Sequence, residues 1–113
     1  MKIVYLLSPA GEIAERVAEA KRWISWLYDH FPGVAFVALW IVAREVLDDA
    51  QLSRQVLIQQ EAAVIARCDA ILVVGPKFPV KGPEVRDSRM LDFTGCERVP
   101  ETAHALKARL ADI

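Results

Sequence analysis

Residues 67–82 read RCDAILVVGPKFPVKG, and this stretch decides the fold. Ala70, Ile71, Leu72, Val73 and Val74 form an unbroken apolar run. Such a run suits a strand covered on both faces, as in a parallel sheet between helices. A helical stretch ends at Arg67-Cys68, and Asp69 stands at the strand entrance. Gly75 permits a sharp turn, and Pro76 and Pro79 hold the chain in a loop as far as Gly82. Ligands of open α/β sheets bind beyond the carboxyl ends of the strands. The loop over residues 75–84 is therefore the first candidate for a site.

Upstream, residues 2–7 predict the first strand, and Ser8, Pro9, Ala10 and Gly11 the turn after it. Ile13, Val17, Ala20, Ile24, Leu27 and Phe31 recur at steps of three and four, one apolar stripe of a helix that Pro32-Gly33 stops. Residues 34–40 predict strand two, and residues 41–47 fit either more strand or a helical turn. Asp48-Asp49 is a plausible N-cap for a helix running to about Cys68. Downstream, residues 88–94, SRMLDFT, predict a fourth strand, and residues 100–111 a last helix through Ala103, Leu106 and Leu110. Helical crossovers between apolar strands imply parallel pairing. The expected fold is a single α/β domain over residues 1–113: a three-layer, flavodoxin- or Rossmann-like sandwich. Its sheet has four to five parallel strands, with strand one central.

Composition narrows the function classes. With 54% apolar and 26% charged residues the chain is globular. Fourteen basic residues against fifteen acidic, with no basic run, give no footprint for nucleic acid. The opening MKIVYLLSPAGE is too short in apolar length for a membrane span and reads as a strand rather than a signal peptide. The expectation is a cytoplasmic protein with no membrane partner. Cys68 and Cys96 are far apart and read as free thiols, and the two histidines lack ligand spacing, so neither a metal nor a cofactor is expected. Trp23 and Trp26 flank the apolar stripe. They either widen the core face or form the subunit interface of a homodimer.

No GxSxG, P-loop or GxGxxG occurs. What remains is a set of turns and acids. The Ser8-Pro9 turn before a helix can host an anion or sugar hydroxyls through backbone N–H groups. Asp69 either breaks the helix or contacts a ligand. Glu84, just after the Gly82 turn, is either a solvated helix-start residue or a carboxylate able to attack a sugar carbon or bind a ribose hydroxyl. Asp92 is notable as an acid within a strand.

Together, KIVYLLSP, the amphipathic helix, the acidic middle segment and ARCDAILVVG with its glycine loop resemble the nucleoside 2-deoxyribosyltransferase-like superfamily, in particular its small phage and bacterial members. The resemblance covers residues 2–95. It implies a protein that binds a nucleoside or nucleotide and cleaves or transfers its N-glycosidic bond, with Glu84 as nucleophile. Ser8, Pro9, Asp69, Gly75, Gly82 and Asp92 would then surround the substrate. It also implies a homodimer, since sites of the family are often completed by a neighbouring subunit. In strict register, however, Arg86 occupies the place of the family glutamate. Two alternatives therefore stand: a non-catalytic nucleotide-binding or interaction protein on the same fold, and a nucleoside-monophosphate N-glycosidase using Lys77, Lys81 or Arg86 for phosphate.

Overall fold

The computed structural model describes residues 1–9, 11–48, 50–51, 53–77 and 89–113. The chain runs β1 (Lys2–Leu7), α1 (Ile13–His30), β2 (Val34–Val37), α2 (Leu39–Val46), α3 (Arg54–Ile65), β3 (Ala70–Val73), β4 (Met90–Asp92) and α4 (Pro100–Ala111). The strands form one sheet in the order β2-β1-β3-β4, and every pairing is parallel. As expected, β1 is an inner strand, and it shares the middle with β3. All four residues of β3 are buried, which is why its sequence is apolar without alternation.

The crossover from β1 to β2 steps one way along the sheet, and the crossover from β2 to β3 steps back across β1. Right-handed connections of opposite sense lie on opposite faces, so α1 covers one face and the α2–α3 pair the other. α4 joins α1: Arg98, just ahead of α4, bonds Glu19 of α1 and lies over the Trp23 ring, and Lys2 Nζ donates to the Leu110 carbonyl. The result is a three-layer α/β sandwich. Its core runs from Val4 and Leu6 of β1 through Leu72 of β3 to Trp23 and Leu27 of α1 and Leu106 of α4.

Several boundaries differ from the sequence reading: β4 is shorter than residues 88–94, α3 stops at Ile65 before Cys68, and two further changes have a visible cause. β2 ends at Val37 instead of running to Trp40, because residues 39–46 turn into helix α2. The cause is tertiary: the buried Trp40 indole N–H donates to the Leu6 carbonyl at 3.1 Å, folding α2 over the end of β1. The N-cap of α3 is Ser53, whose Oγ accepts the Val56 N–H, rather than Asp48-Asp49. Asp48 instead closes a turn with Gln51 through two mutual hydrogen bonds of 3.0 and 2.8 Å. Asp49 lies outside the described residues.

Of the two tryptophans weighed as an interface, Trp23 is fully buried in the core. Trp26 is half-buried, stacked on His30 and edge-on to Phe31 and Trp23. The aromatic-surface argument for a homodimer thus loses one of its two residues. Urea unfolding should separate these roles. Trp23→Ala should cost about 3–5 kcal/mol as a core truncation. Trp26→Ala should cost about 0.5–1.5 kcal/mol, the scale of lost aromatic pairs. Equal losses would contradict the assignment.

Candidate functional site

The strand order creates a crevice. The chain leaves β1 toward β2 on one side and returns through β3 on the other, so the loops after β1 and β3 diverge. Such switch points at the carboxyl edge are where open α/β sheets hold ligands. Here the crevice has a volume of about 600 Å³ and is bounded by Ser8 after β1, Arg16, Glu19 and Arg22 along α1, Gly75 after β3, and Gly95 after β4. Backbone bonds seal its floor: Val74 N–H donates to the Leu7 carbonyl at 2.9 Å, and Gly95 N–H to the Gly75 carbonyl at 2.7 Å.

Ser8 is the central polar group. It is 1% exposed, and its hydroxyl has no hydrogen-bond partner among the described residues. A buried unpaired hydroxyl costs about 1–3 kcal/mol, so this one is available to a partner entering from the crevice. Gly75 makes room for it. A Cβ at Gly75 would stand 2.8 Å from Ser8 Oγ, and the φ of +105° is one that side-chain-bearing residues rarely adopt. Arg16 braces the turn from α1, its Nε donating to the Ser8 carbonyl, while its guanidinium lies 5.4 Å from the centre of the Trp40 ring. Glu19 accepts from Arg22, Arg98 and the Trp23 indole. Burial works to raise its carboxyl, but the Arg22 and Arg98 hydrogen bonds outweigh it and hold the group below the usual carboxylate range.

The residues singled out from sequence fall on different parts of the sheet. Ser8, Pro9, Gly75 and Asp92 share the carboxyl edge. Asp92 Oδ1 is engaged by Thr94, through its N–H at 3.0 Å and its hydroxyl at 2.7 Å. Burial tends to raise the Asp92 carboxyl, and Thr94 with Lys77 more than reverses this. Asp92 is thus committed to shaping the turn into Gly95. Asp69 lies on the opposite, amino edge, six residues before Gly75 along β3, or about 20 Å in extended chain. Its carboxylate accepts the Ile3 N–H at 2.8 Å and its own N–H donates to the Ile3 carbonyl at 2.7 Å, so it tethers strands there instead of lining the crevice. Gly82 and Glu84 lie outside the described residues, as do Lys81 and Arg86.

A second cleft, of about 290 Å³, opens beside the first between α2 and α3. Arg16 lines both. Glu61 of α3 reaches into it, and the fully buried Tyr5 of β1 lies behind. Burial and then the Glu61 charge push the Tyr5 phenol far above its usual range. Glu61 and the Leu39 and Trp40 backbone are near enough to act on the phenol, although among the described residues none meets it in good hydrogen-bond geometry. Burial likewise raises the Glu61 carboxyl, against the pull of Tyr5 and Arg16. Sequence reasoning passed over Tyr5, Arg16 and Glu61. The available signal was Tyr5 itself, a hydroxyl-bearing residue in the otherwise aliphatic run IVYLL. Among the described residues no cluster of His, Cys, Asp and Glu could hold a metal ion, and no helix is long and apolar enough to cross a membrane. Cys68 is a buried thiol donating to the Val64 carbonyl, its pKa pushed up by burial.

Two measurements check this geometry. Gly75→Ala should destabilise by more than about 1 kcal/mol in chemical denaturation, since Ala is forced to positive φ. Ser8→Ala in the same background should return part of that loss by removing the clashing oxygen. Full additivity of the two changes would deny the close approach. Glu61 supplies the second. Its folded pKa is raised, so its ionisation opposes folding, and the penalty grows as pH rises from the ordinary carboxyl value of about 4.3 through the raised one. Glu61→Gln should therefore stabilise the protein at pH 7–8, with the gain vanishing below about pH 4. A gain independent of pH would contradict the assignment. Comparison with protein-family models, with curated proteins and with solved structures finds no match, and the reading of this site rests on its own geometry.

Proposed function

We propose that the protein binds a nucleoside or nucleotide in the crevice between the β1 and β3 loops and cleaves or transfers its N-glycosidic bond. The observation that carries this reading is the buried Ser8 hydroxyl at the topological switch point, unpartnered among the described residues and opposite a glycine whose missing side chain opens the approach. A sugar hydroxyl suits that hydroxyl as donor or acceptor. The cleft volume fits a small ligand of this size.

In the catalytic reading Glu84 is the nucleophile. One carboxylate oxygen attacks C1′ of the sugar, and the C1′–N bond breaks with its electron pair passing to the base, which takes up a proton. The glycosyl ester is then opened by water or by the nitrogen of a second base, restoring the carboxylate. This chemistry needs the carboxylate within about 3–3.5 Å of C1′. Binding without turnover is the second reading, and one observation favours it: Arg86 stands where the resemblance calls for the acid, with Glu84 two positions earlier.

Incubation with purine and pyrimidine deoxynucleosides tests both. The wild-type protein should release free base, and Glu84→Ala should abolish release while leaving thermal unfolding and ligand binding in place. Binding with no base released establishes the second reading. Failure to bind any nucleoside or nucleotide overturns the proposal.

A further inference from the structure

The α2–α3 cleft carries charge that the fold does not use. Arg16, Arg44 and Arg54 line it, from α1, α2 and α3 respectively, and among the described residues Glu61 is the one carboxylate there. Among the described lining residues, three guanidiniums less one carboxylate leave two positive charges. The ion pairs among the described residues involve Lys21 with Glu45, and Arg22 and Arg98 with Glu19. Arg44 and Arg54 enter none of them, and neither forms a side-chain hydrogen bond there. The walls between these charges are apolar, contributed by Leu7, Trp40, Leu57 and Ile58. Charges of one sign on apolar walls focus the field into the cleft and draw in a counter-ion.

We propose that this cleft is a phosphate subsite, so that the ligand of the adjoining crevice is a phosphorylated nucleoside rather than a free one. The inference rests on the nucleoside reading for the identity of the ligand and on the cleft alone for the phosphate. A phosphate monoester carries about −1.5 to −2 charges at neutral pH, matching the surplus. Guanidiniums lining one cleft from three helices suit its oxygens, since each offers paired N–H donors. Arg16 joins the two clefts. With its Nε held by the Ser8 carbonyl, its remaining donors are free to turn toward the second cleft. Glu61 opposes an anion there and tunes the subsite rather than building it.

Calorimetric titration of the full chain tests the proposal, using 2′-deoxyadenosine and thymidine, their 5′-monophosphates, and inorganic phosphate. The monophosphates should bind at least about tenfold more tightly than the matching nucleosides, the scale of one or two charge-assisted hydrogen bonds. Arg44→Ala with Arg54→Ala should erase that preference and leave nucleoside affinity unchanged. Glu61→Gln should tighten monophosphate binding, a gain of function that a structural role would not produce. Equal affinity for nucleoside and monophosphate overturns the subsite and leaves the nucleoside reading standing. A preference that survives the double arginine variant also overturns it, because the phosphate then sits elsewhere. Inorganic phosphate bound in an arginine-dependent way, with no nucleoside binding, keeps the subsite and removes the nucleoside reading. No binding of any probe removes both.

Discussion

Asp69 closes the amino edge of the β1–β3 pair, with its carboxylate on the Ile3 N–H and its own N–H on the Ile3 carbonyl. From there the register runs Val4 to Ala70, Tyr5 to Ile71, Leu6 to Leu72 and Leu7 to Val73. A slip of one residue would turn every side chain of β1 to the other face, sending Val4 and Leu6 out of one layer and Tyr5 into it. Both faces of this sheet are covered, so hydrophobicity alone discriminates weakly between registers. The paired bonds at Asp69 add a polar constraint that apolar packing lacks. Everything at the carboxyl edge inherits this alignment, including the meeting of Ser8 with Gly75.

At that far edge the chain tolerates polar groups that packing would reject. Ser8 Oγ is buried without a partner among the described residues, at about 1–3 kcal/mol, and Tyr5 OH is buried with only poorly aligned neighbours. A domain of this size has a net stability of only about 5–15 kcal/mol. Two such groups within four residues of one strand and its turn are a concession on that scale. The apolar core around Trp23, Leu27, Leu72 and Leu106 offsets it. The cost falls on the carboxyl edge, and not on the amino edge where Asp69 satisfies its neighbours, which is what the proposed ligand site requires.

The parallel sheet was legible because its signals are local. β3 shows as five apolar residues in a row, α1 as a stripe at helical steps, and α4 as a proline-led helix. The early end of β2 was not, because it depends on Trp40 reaching a carbonyl 34 positions away. Ser53 and the Asp48-Asp49 pair are equally good caps by composition, and only the turn that Asp48 makes with Gln51 decides between them. Ser8 and Gly75 could be placed at the site from sequence, since both follow strands. Asp69 could have been placed away from it by the same logic: a residue preceding a strand of a parallel sheet sits on the amino edge. The arginine cleft left no trace in the sequence, because its members come from three helices and share no spacing.

Arg16 is where the two clefts become one device. Its position in the first turn of α1 puts it beside the Ser8 turn, over Trp40 and within electrostatic reach of Glu61. These contacts draw on different parts of the side chain: Nε for the carbonyl, the planar face for the indole, the net charge for the carboxylate. Lysine, with a single compact ammonium, could not hold all three. An anion that engages the guanidinium in either cleft therefore weakens its hold on Glu61, whose carboxyl then rises further. Linkage makes the effect mutual: protonation of Glu61 must favour the same anion by the same factor. Under the proposed binding, the charge state of one half-buried carboxylate on α3 would be tied to an anion in the crevice beside β1, through a single side chain on α1.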